Sequence, residues 1–254
     1  MTSIMVTNDD GYDAPGILAL AEAMQTVGDV QVAAPGTNQS ASGHKKTLFQ
    51  DIDYDITSIG NDIPTLAVYG SPADCIAVAA LGLIEETPDI VVSGINRGEN
   101  MAQDLTYSGT VTAALEASIH GIPAIAVSLA NRNANNVEDY RVAAQVTIPI
   151  VKKILKHGLP PFTIVSINVP DVETVDDLKG IRMTRQGVRT YLDVLTRSAG
   201  TSVRIEGEPP AGNVDELGTD LWAVNQGYVS ITPVHLDMTA HRFMADLESW
   251  DIQI

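Results

Sequence analysis

Two carboxylates, Asp9 and Asp10, stand side by side directly after the apolar run Ile4 to Thr7 and just before a glycine. Adjacent acids at the mouth of a buried strand repel each other, and a cation, a proton or a basic partner must offset that repulsion. A cation organises the remaining polar groups best. A second loop, "TNQSASGHKK", carries Ser40, Ser42 and His44, and a third, "SGINRGENMAQDLTY", carries Asn96, Asn100 and Asp104. Together with Asn8 these groups offer mainly neutral or anionic oxygen, a set that suits Mg²⁺, Mn²⁺ or Ca²⁺ better than structural zinc. With only two close acids the ion would be held weakly and partly hydrated, which leaves room for a substrate phosphate.

That phosphate has its own expected seat. Ser108, Gly109 and Thr110 open a helix directly after the third loop, so free backbone N–H groups and the helix dipole face the same edge. The dipole contributes only about 0.3–1 kcal/mol at an exposed terminus, whereas a difficult hydrolysis calls for roughly 8–23 kcal/mol of barrier lowering. The helix therefore positions, and an ion supplies most of the electrostatics. Taken singly, Asp-Asp-Gly is a common turn, Ser-Gly-Thr an ordinary helix cap, and the histidines more often structural than catalytic. Their convergence is what raises the reading above those alternatives.

The elements that must bring the loops together follow from hydrophobic patterning. Ile4 to Thr7 and Val30 to Ala34 are buried strands flanking a helix, with Asp13 as its cap, Pro15 in its first turn, an apolar face of Ile17, Leu20, Ala21, Met24 and Val27, and Gly28 as its stop. Leu48 to Thr57 alternates as a strand with one wet face, and Leu66 to Tyr69 pairs near it. A deeply buried helix follows, capped by Ser71 with Pro72 at its first position. Further units are the strand Asp89 to Val92, the small-residue helix after Ser108, the strand Ala124 to Ser128, the helix Val137 to Lys156 and the strand Thr163 to Asn168. Unbroken apolar strands alternating with helices predict an α/β fold with a mostly parallel sheet covered on both faces. Right-handed crossovers put the carboxyl-end loops on one edge, where ligands bind in such sheets.

After Pro170 the pattern changes to short alternating strands around Arg182, Thr190 to Thr196 and Ser202 to Glu206, then a turn at Pro209 to Gly212, a return strand Tyr228 to Thr232 and an amphipathic helix Ala240 to Trp250. Residues 1–182 are expected as the catalytic core, and 183–254 as a hairpin arm, return strand and terminal helix within one structural unit.

With 15 Lys and Arg against 32 Asp and Glu, the net charge of −17 disfavours nucleic acid and anionic membranes as partners. Cys75 is the single cysteine, which excludes an intrachain disulfide and fits a reducing compartment. No apolar run approaches the ~18 residues of a membrane span, and a cytoplasmic location is expected.

The motifs "TNDDGYDAPGI", "APGTNQSASGH", "GSPADCI", "PDIVVSGINRGEN", "YSGTVTAALEA", "INVP", "RMTRQG" and "GYVSITPVHLDMTAH" occur in this order along nearly the whole chain. In this the sequence resembles the SurE family of stationary-phase survival proteins, metal-dependent nucleoside monophosphate phosphatases. The resemblance implies one divalent ion per subunit, Mg²⁺ or Mn²⁺, held by Asp9, Asp10, Ser40 and Asn96, with Asn8 and Ser108 to Thr110 near the substrate phosphate. It also implies a Rossmann-like three-layer core, and C-terminal elements exchanged between subunits of a homodimer or homotetramer. Ala102 is a departure, because it stands where the third loop usually carries glycine.

The expected activity is hydrolysis of nucleoside 5′- and 3′-monophosphates, with polyphosphate as a further substrate. Asp9, Asp10, or water activated by the ion without a side-chain base each remain open as the proton acceptor. Covalent catalysis through an aspartyl phosphate is disfavoured because Asp-Asp-Gly replaces the Asp-x-Asp of haloacid-dehalogenase-type phosphatases. A receiver domain is disfavoured because Ser93 to Asn96 supplies no acid. A non-enzymatic nucleotide or phosphate sensor using the same pocket is the alternative from another class.

Overall fold

The computed structural model describes residues 2–198, 200–207 and 211–252. The first half of the chain forms β1 (Ser3–Thr7), α1 (Pro15–Met24), β2 (Asp29–Pro35), β3 (Tyr54–Ile59), β4 (Ile63–Val68), α2 (Pro72–Val78), β5 (Ile90–Arg97) and α3 (Gly109–Ile119). The second forms β6 (Ala124–Leu129), α4 (Arg141–His157), β7 (Thr163–Val169), β8 (Ile181–Met183), β9 (Arg189–Thr190), β10 (Asp193–Arg197), β11 (Val203–Gly207), β12 (Ala211–Gly212), α5 (Asp220–Asn225), β13 (Val229–His235) and α6 (His241–Glu248).

Nine strands make one sheet in the order β3-β4-β2-β1-β5-β6-β7-β13-β8. All neighbours from β4 to β7 are parallel, β3 and β13 run antiparallel to β4 and β7, and β8 lies parallel to β13. This is the mostly parallel three-layer α/β architecture expected. Alternation on β1 sends Ile4 and Val6 into a core with α1 and α4, and Met5 into a second core with α2 and α3. Each fully buried side chain of this size stabilises the fold by about 1.5–3 kcal/mol. The strand order reverses at β1, so the ends of β1 and β5 open a crevice at the switch point.

Several boundaries differ from the sequence expectation. Asp13 does not cap α1: Ala14 is the N-cap without a side-chain bond, and Pro15, which lacks an N–H, occupies the first turn. α1 ends at Met24, and Gly28 closes the following turn by donating to the Met24 carbonyl at 3.1 Å. α2 has the expected Ser71 cap, reinforced as a capping box by Asp74. Its continuation, a π-helical turn at Ala79–Leu83, leaves Leu81 exposed, so burial does not extend along the whole apolar run.

β3 is an uncovered edge strand exposed on both faces, and Leu48 and Phe49 precede it as coil. β5 runs five residues past Val92 and shifts register against β6 between Ser93 and Asn96. Gly94 makes the close approach feasible, because a Cβ there would stand 2.4 Å from the Val127 carbonyl oxygen. Thr190 to Thr196 divides into β9, which pairs with β12, and β10, which pairs with β11 as a hairpin. Pro209 and Pro210 of the expected turn lie outside the described residues. The return strand β13 is longer than expected and sits inside the main sheet, between β7 and β8.

Candidate functional site

β1 delivers its polar end residues to the switch point, where they become differently committed. Asn8 is fully buried and closes its own loop: its Nδ2 donates to the Gly11 carbonyl at 2.7 Å and its Oδ1 accepts from Gly11 N at 3.3 Å. Asp9 is 3 % exposed, and its Oδ1 accepts a 2.6 Å hydrogen bond from the Thr110 hydroxyl. Burial raises the Asp9 carboxyl to about 6 against the opposing Thr110 bond, and the neighbouring Asp10 adds to the rise. Asp10 is half-buried; it accepts from Asn38 Nδ2 and from the Arg97 backbone N–H, each at 3.3 Å. Burial also pushes its carboxyl up, despite the Arg97 and Asn38 contacts.

The three loops therefore meet at the two acids. The second loop is tied in by Gln39 N donating to the Asp9 carbonyl at 2.7 Å, and within it Ser40 N donates to Asn38 Oδ1 at 2.9 Å, leaving Ser40 exposed. Asn96 lies at the end of β5, where its Nδ2 donates to the Gly98 carbonyl at 2.9 Å, so its carbonyl Oδ1 is the end not engaged by that bond. Ser40 and Asn96 reach this edge through their neighbours; among the described residues neither hydrogen-bonds to the two carboxylates. Ser108 caps α3 by accepting from Val111 N at 3.1 Å. A Cβ on Gly109 would stand 2.6 Å from Asp9 Cβ, so only glycine lets the helix start approach this acid. With Ser108 and Thr110 hydroxyls committed, what α3 offers an anion is its backbone N–H groups.

These residues fit a divalent ion. Asp9 and Asp10 are adjacent and withdrawn from water, yet no Lys, Arg or His among the described residues stands within 4.0 Å ion-pair distance of either. Thr7 Oγ1 at the end of β1, Ser93 Oγ of its register partner on β5, and Ser42 Oγ are buried without a hydrogen-bond partner among the described residues. No group of three or more His, Cys, Asp or Glu side chains placed to hold a metal ion is found among the described residues. Any ion must therefore complete its shell with neutral oxygen, such as the Ser40 hydroxyl and the Asn96 carbonyl, and with water.

Other loop groups are committed elsewhere. Asn100 and Asn168 form a buried tie between the third loop and β7, with Asn100 N donating to Asn168 Oδ1 at 2.8 Å and Asn168 Nδ2 to the Asn100 carbonyl at 2.9 Å. Asp104 accepts from Arg189 Nε at 3.0 Å and from the Tyr191 hydroxyl at 2.6 Å. His44 Nε2 lies 2.9 Å from Glu116 Oε2, and Lys46 Nζ donates to Glu116 Oε1 at 2.6 Å. Burial works against ionisation of Glu116, but the His44 and Lys46 bonds outweigh it and hold the carboxyl down to about 2. Asn38, Arg97 and Glu116 are the supporting residues that sequence reasoning missed. Only the four-residue spacing of Ser108, Thr112, Glu116 and His120 along α3 was available to flag Glu116.

A family model described as "Survival protein SurE" matches residues 4–193. The chain is 45% identical over 254 residues to the 5′-nucleotidase SurE of Geobacter sulfurreducens, covering 98% of this chain and 94% of that protein. It is 42% identical over 252 residues to the 5′-nucleotidase SurE of Chloroflexus aggregans, covering 98% of each. The crystal structure of the SurE protein from Aquifex aeolicus is similar with a TM-score of 0.81 and 38% identity, covering 98% of this chain and 100% of that one.

Proposed function

This chain belongs to the SurE family and is a nucleotide phosphomonoesterase, and we propose that it hydrolyses nucleoside 5′- and 3′-monophosphates at the edge where Asp9 and Asp10 meet α3. The carrying observation is the adjacent pair of carboxylates at the strand switch, Asp9 buried and Asp10 half-buried, with no basic side chain in ion-pair contact among the described residues. Asp9, Asp10, Ser40 and Asn96 would hold one Mg²⁺ or Mn²⁺. When bound, such an ion supplies positive charge to the phosphoryl group and acidifies water.

The chain's own residues do the rest. The first N–H groups of α3 take the phosphate oxygens. Asp9, sealed and fixed by Thr110, is an anchor. Asp10 is the acid that solvent reaches, and it orients the attacking water and accepts its proton. Asn8 acts indirectly by holding Gly11 and so the turn that presents both acids.

Phosphate release from 5′- and 3′-nucleoside monophosphates and from polyphosphate, with Mg²⁺, Mn²⁺ or EDTA, tests this. Turnover with the metals that EDTA abolishes is the expected result. Saturable nucleotide binding without phosphate release would replace the enzyme by the sensor.

The cytoplasm is the proposed location, supported by the single buried cysteine; no helix among the described residues is long and apolar enough to cross a membrane. A homodimer or homotetramer is the proposed assembly, supported by exposed Phe243, Met244, Leu247 and Trp250 around α6 and by the apolar hairpin β10–β11. A chain truncated before Ala240 should then run smaller in light scattering, and an unchanged size would remove α6 from the assembly.

A further inference from the structure

On the reading that Ser40 serves the ion, we propose that Glu116 is a positioning residue that fixes the second loop, and with it Ser40, against the two acids. α3 presents Ser108, Thr112, Glu116 and His120 one turn apart on one side. The second loop descends along this stripe. Gly43 N donates to the Tyr107 carbonyl at 3.1 Å, Thr112 Oγ1 donates to the Gly43 carbonyl at 3.0 Å, and His44 and Lys46 both close on Glu116. His120 Nε2, 3.1 Å from Glu116 Oε1, braces the same carboxylate from below.

Glu116 lies eight residues beyond Ser108, about 12 Å along the helix axis, too far to touch a phosphate seated at the helix start. Its side chain is 3% exposed, whereas Lys46 and His44 are about one-third exposed, so the buried carboxylate is the fixed end and the loop is what it holds. The upstream half of the loop is fastened separately, through Gln39 to the Asp9 carbonyl and Asn38 to the Asp10 carboxylate. Ser40 is therefore suspended between an anchor at the acids and the downstream stretch 43–46, which Thr112 and Glu116 hold to α3. Beyond it, Thr47 is held by Asp74, to which it donates from N at 2.7 Å and Oγ1 at 2.8 Å. Releasing Glu116 thus frees the His44 and Lys46 side chains and loosens the downstream end of the span that carries Ser40, while Gly43 stays tied to Tyr107 and Thr112 and the Lys45 carbonyl to the Ser71 hydroxyl.

The test compares the full-length chain with Glu116→Gln and, as a variant that leaves the α3 core intact, His44→Asn. Trypsin cleavage after Lys45 and Lys46, followed by mass spectrometry, reads the loop without requiring turnover. Calorimetric titration with Mn²⁺ alone reads the proposed ion site. Faster cleavage at these two lysines is expected in both variants, together with Mn²⁺ affinity lowered about tenfold, as for supporting residues of metal ligands, and kcat retained at saturating Mn²⁺. Unchanged cleavage and unchanged Mn²⁺ affinity in folded variants would overturn the proposal, even if thermal stability fell. Faster cleavage with unchanged affinity would separate the loop anchor from the site and also overturn it. A wild type without phosphatase turnover would sink the functional reading alone, since the protease result stands apart from it.

Discussion

Gly109 sits against Asp9 so closely that its missing side chain becomes part of the site. A methyl group there would meet Asp9 Cβ at 2.6 Å, Asp9 Oδ2 at 2.9 Å and Pro72 Cγ at 3.0 Å, three atoms with little freedom to withdraw. Gly109→Ala should therefore cost about 1–3 kcal/mol by overpacking and, by displacing an acid about 1 Å, lower kcat/KM on the order of 10²-fold. Thermal unfolding and phosphate release check the two effects, and unaltered kinetics would mean that Asp9 need not stay where it is. The acids themselves were legible because they are neighbours in sequence and follow an apolar run. Gly109 was legible as part of the helix opening, but its close approach to Asp9 was not. The resemblance implies that Asn8 lies near the phosphate; that its amide closes the loop on Gly11 was not legible in the sequence. Ala102, where glycine was expected, takes a left-handed φ of 51° and is fully buried, so the loop keeps the glycine-like backbone at some strain.

Between elements, the third loop is clamped to the base of the C-terminal arm. Arg189 on β9, 7% exposed, lies between Glu99 at 2.9 Å and Asp104 at 3.0 Å, and its backbone N–H donates to Gln103 Oε1 at 2.8 Å. Arg189→Ala would leave two largely buried carboxylates without this partner, a loss of about 3–5 kcal/mol for a broken buried pair. Chemical denaturation should show that loss at neutral pH; a shift under about 1 kcal/mol would place the pair among solvent-screened contacts. This clamp could not be read in advance, because Arg189 lies 90 residues from Glu99 and 85 from Asp104. The central strands β1, β2, β6 and β7 were legible, since strands buried on both faces read as unbroken apolar runs. Edge elements were legible only in outline: the strand expected from Leu48 starts at Tyr54 as β3 and the one expected over Thr190 to Thr196 divides into β9 and β10, because none has a buried face to fix its ends, while the short helix α5 has too few residues for a period. β5 was cut short in sequence because Ser93 and Gly94 interrupt its apolar run, although the strand continues through the buried Ile95 to Arg97.

Across the whole molecule, the parallel sheet gathers three loops from residues 8–10, 37–46 and 96–110 at one switch point, and the order of strands makes that meeting unavoidable. The chain then returns through β13, so the segment after residue 182 supplies an interior strand of the main sheet as well as the exposed hairpin and α6. By its net charge of −17 the surface is expected to disfavour nucleic acid as a partner. Fold class and the site's edge were thus legible from patterning, whereas the anchoring of the loops was not, because it depends on contacts between distant segments. The central claim is that Asp9 and Asp10 act together through one divalent ion. Calorimetric titration of wild type and Asp10→Asn with Mn²⁺, beside phosphate release from a nucleoside 5′-monophosphate in the same buffer, tests it most directly. The account predicts one ion bound per wild-type chain, with binding weakened at least about tenfold and turnover lost in Asp10→Asn. Wild-type Mn²⁺ affinity and turnover in that variant would contradict it.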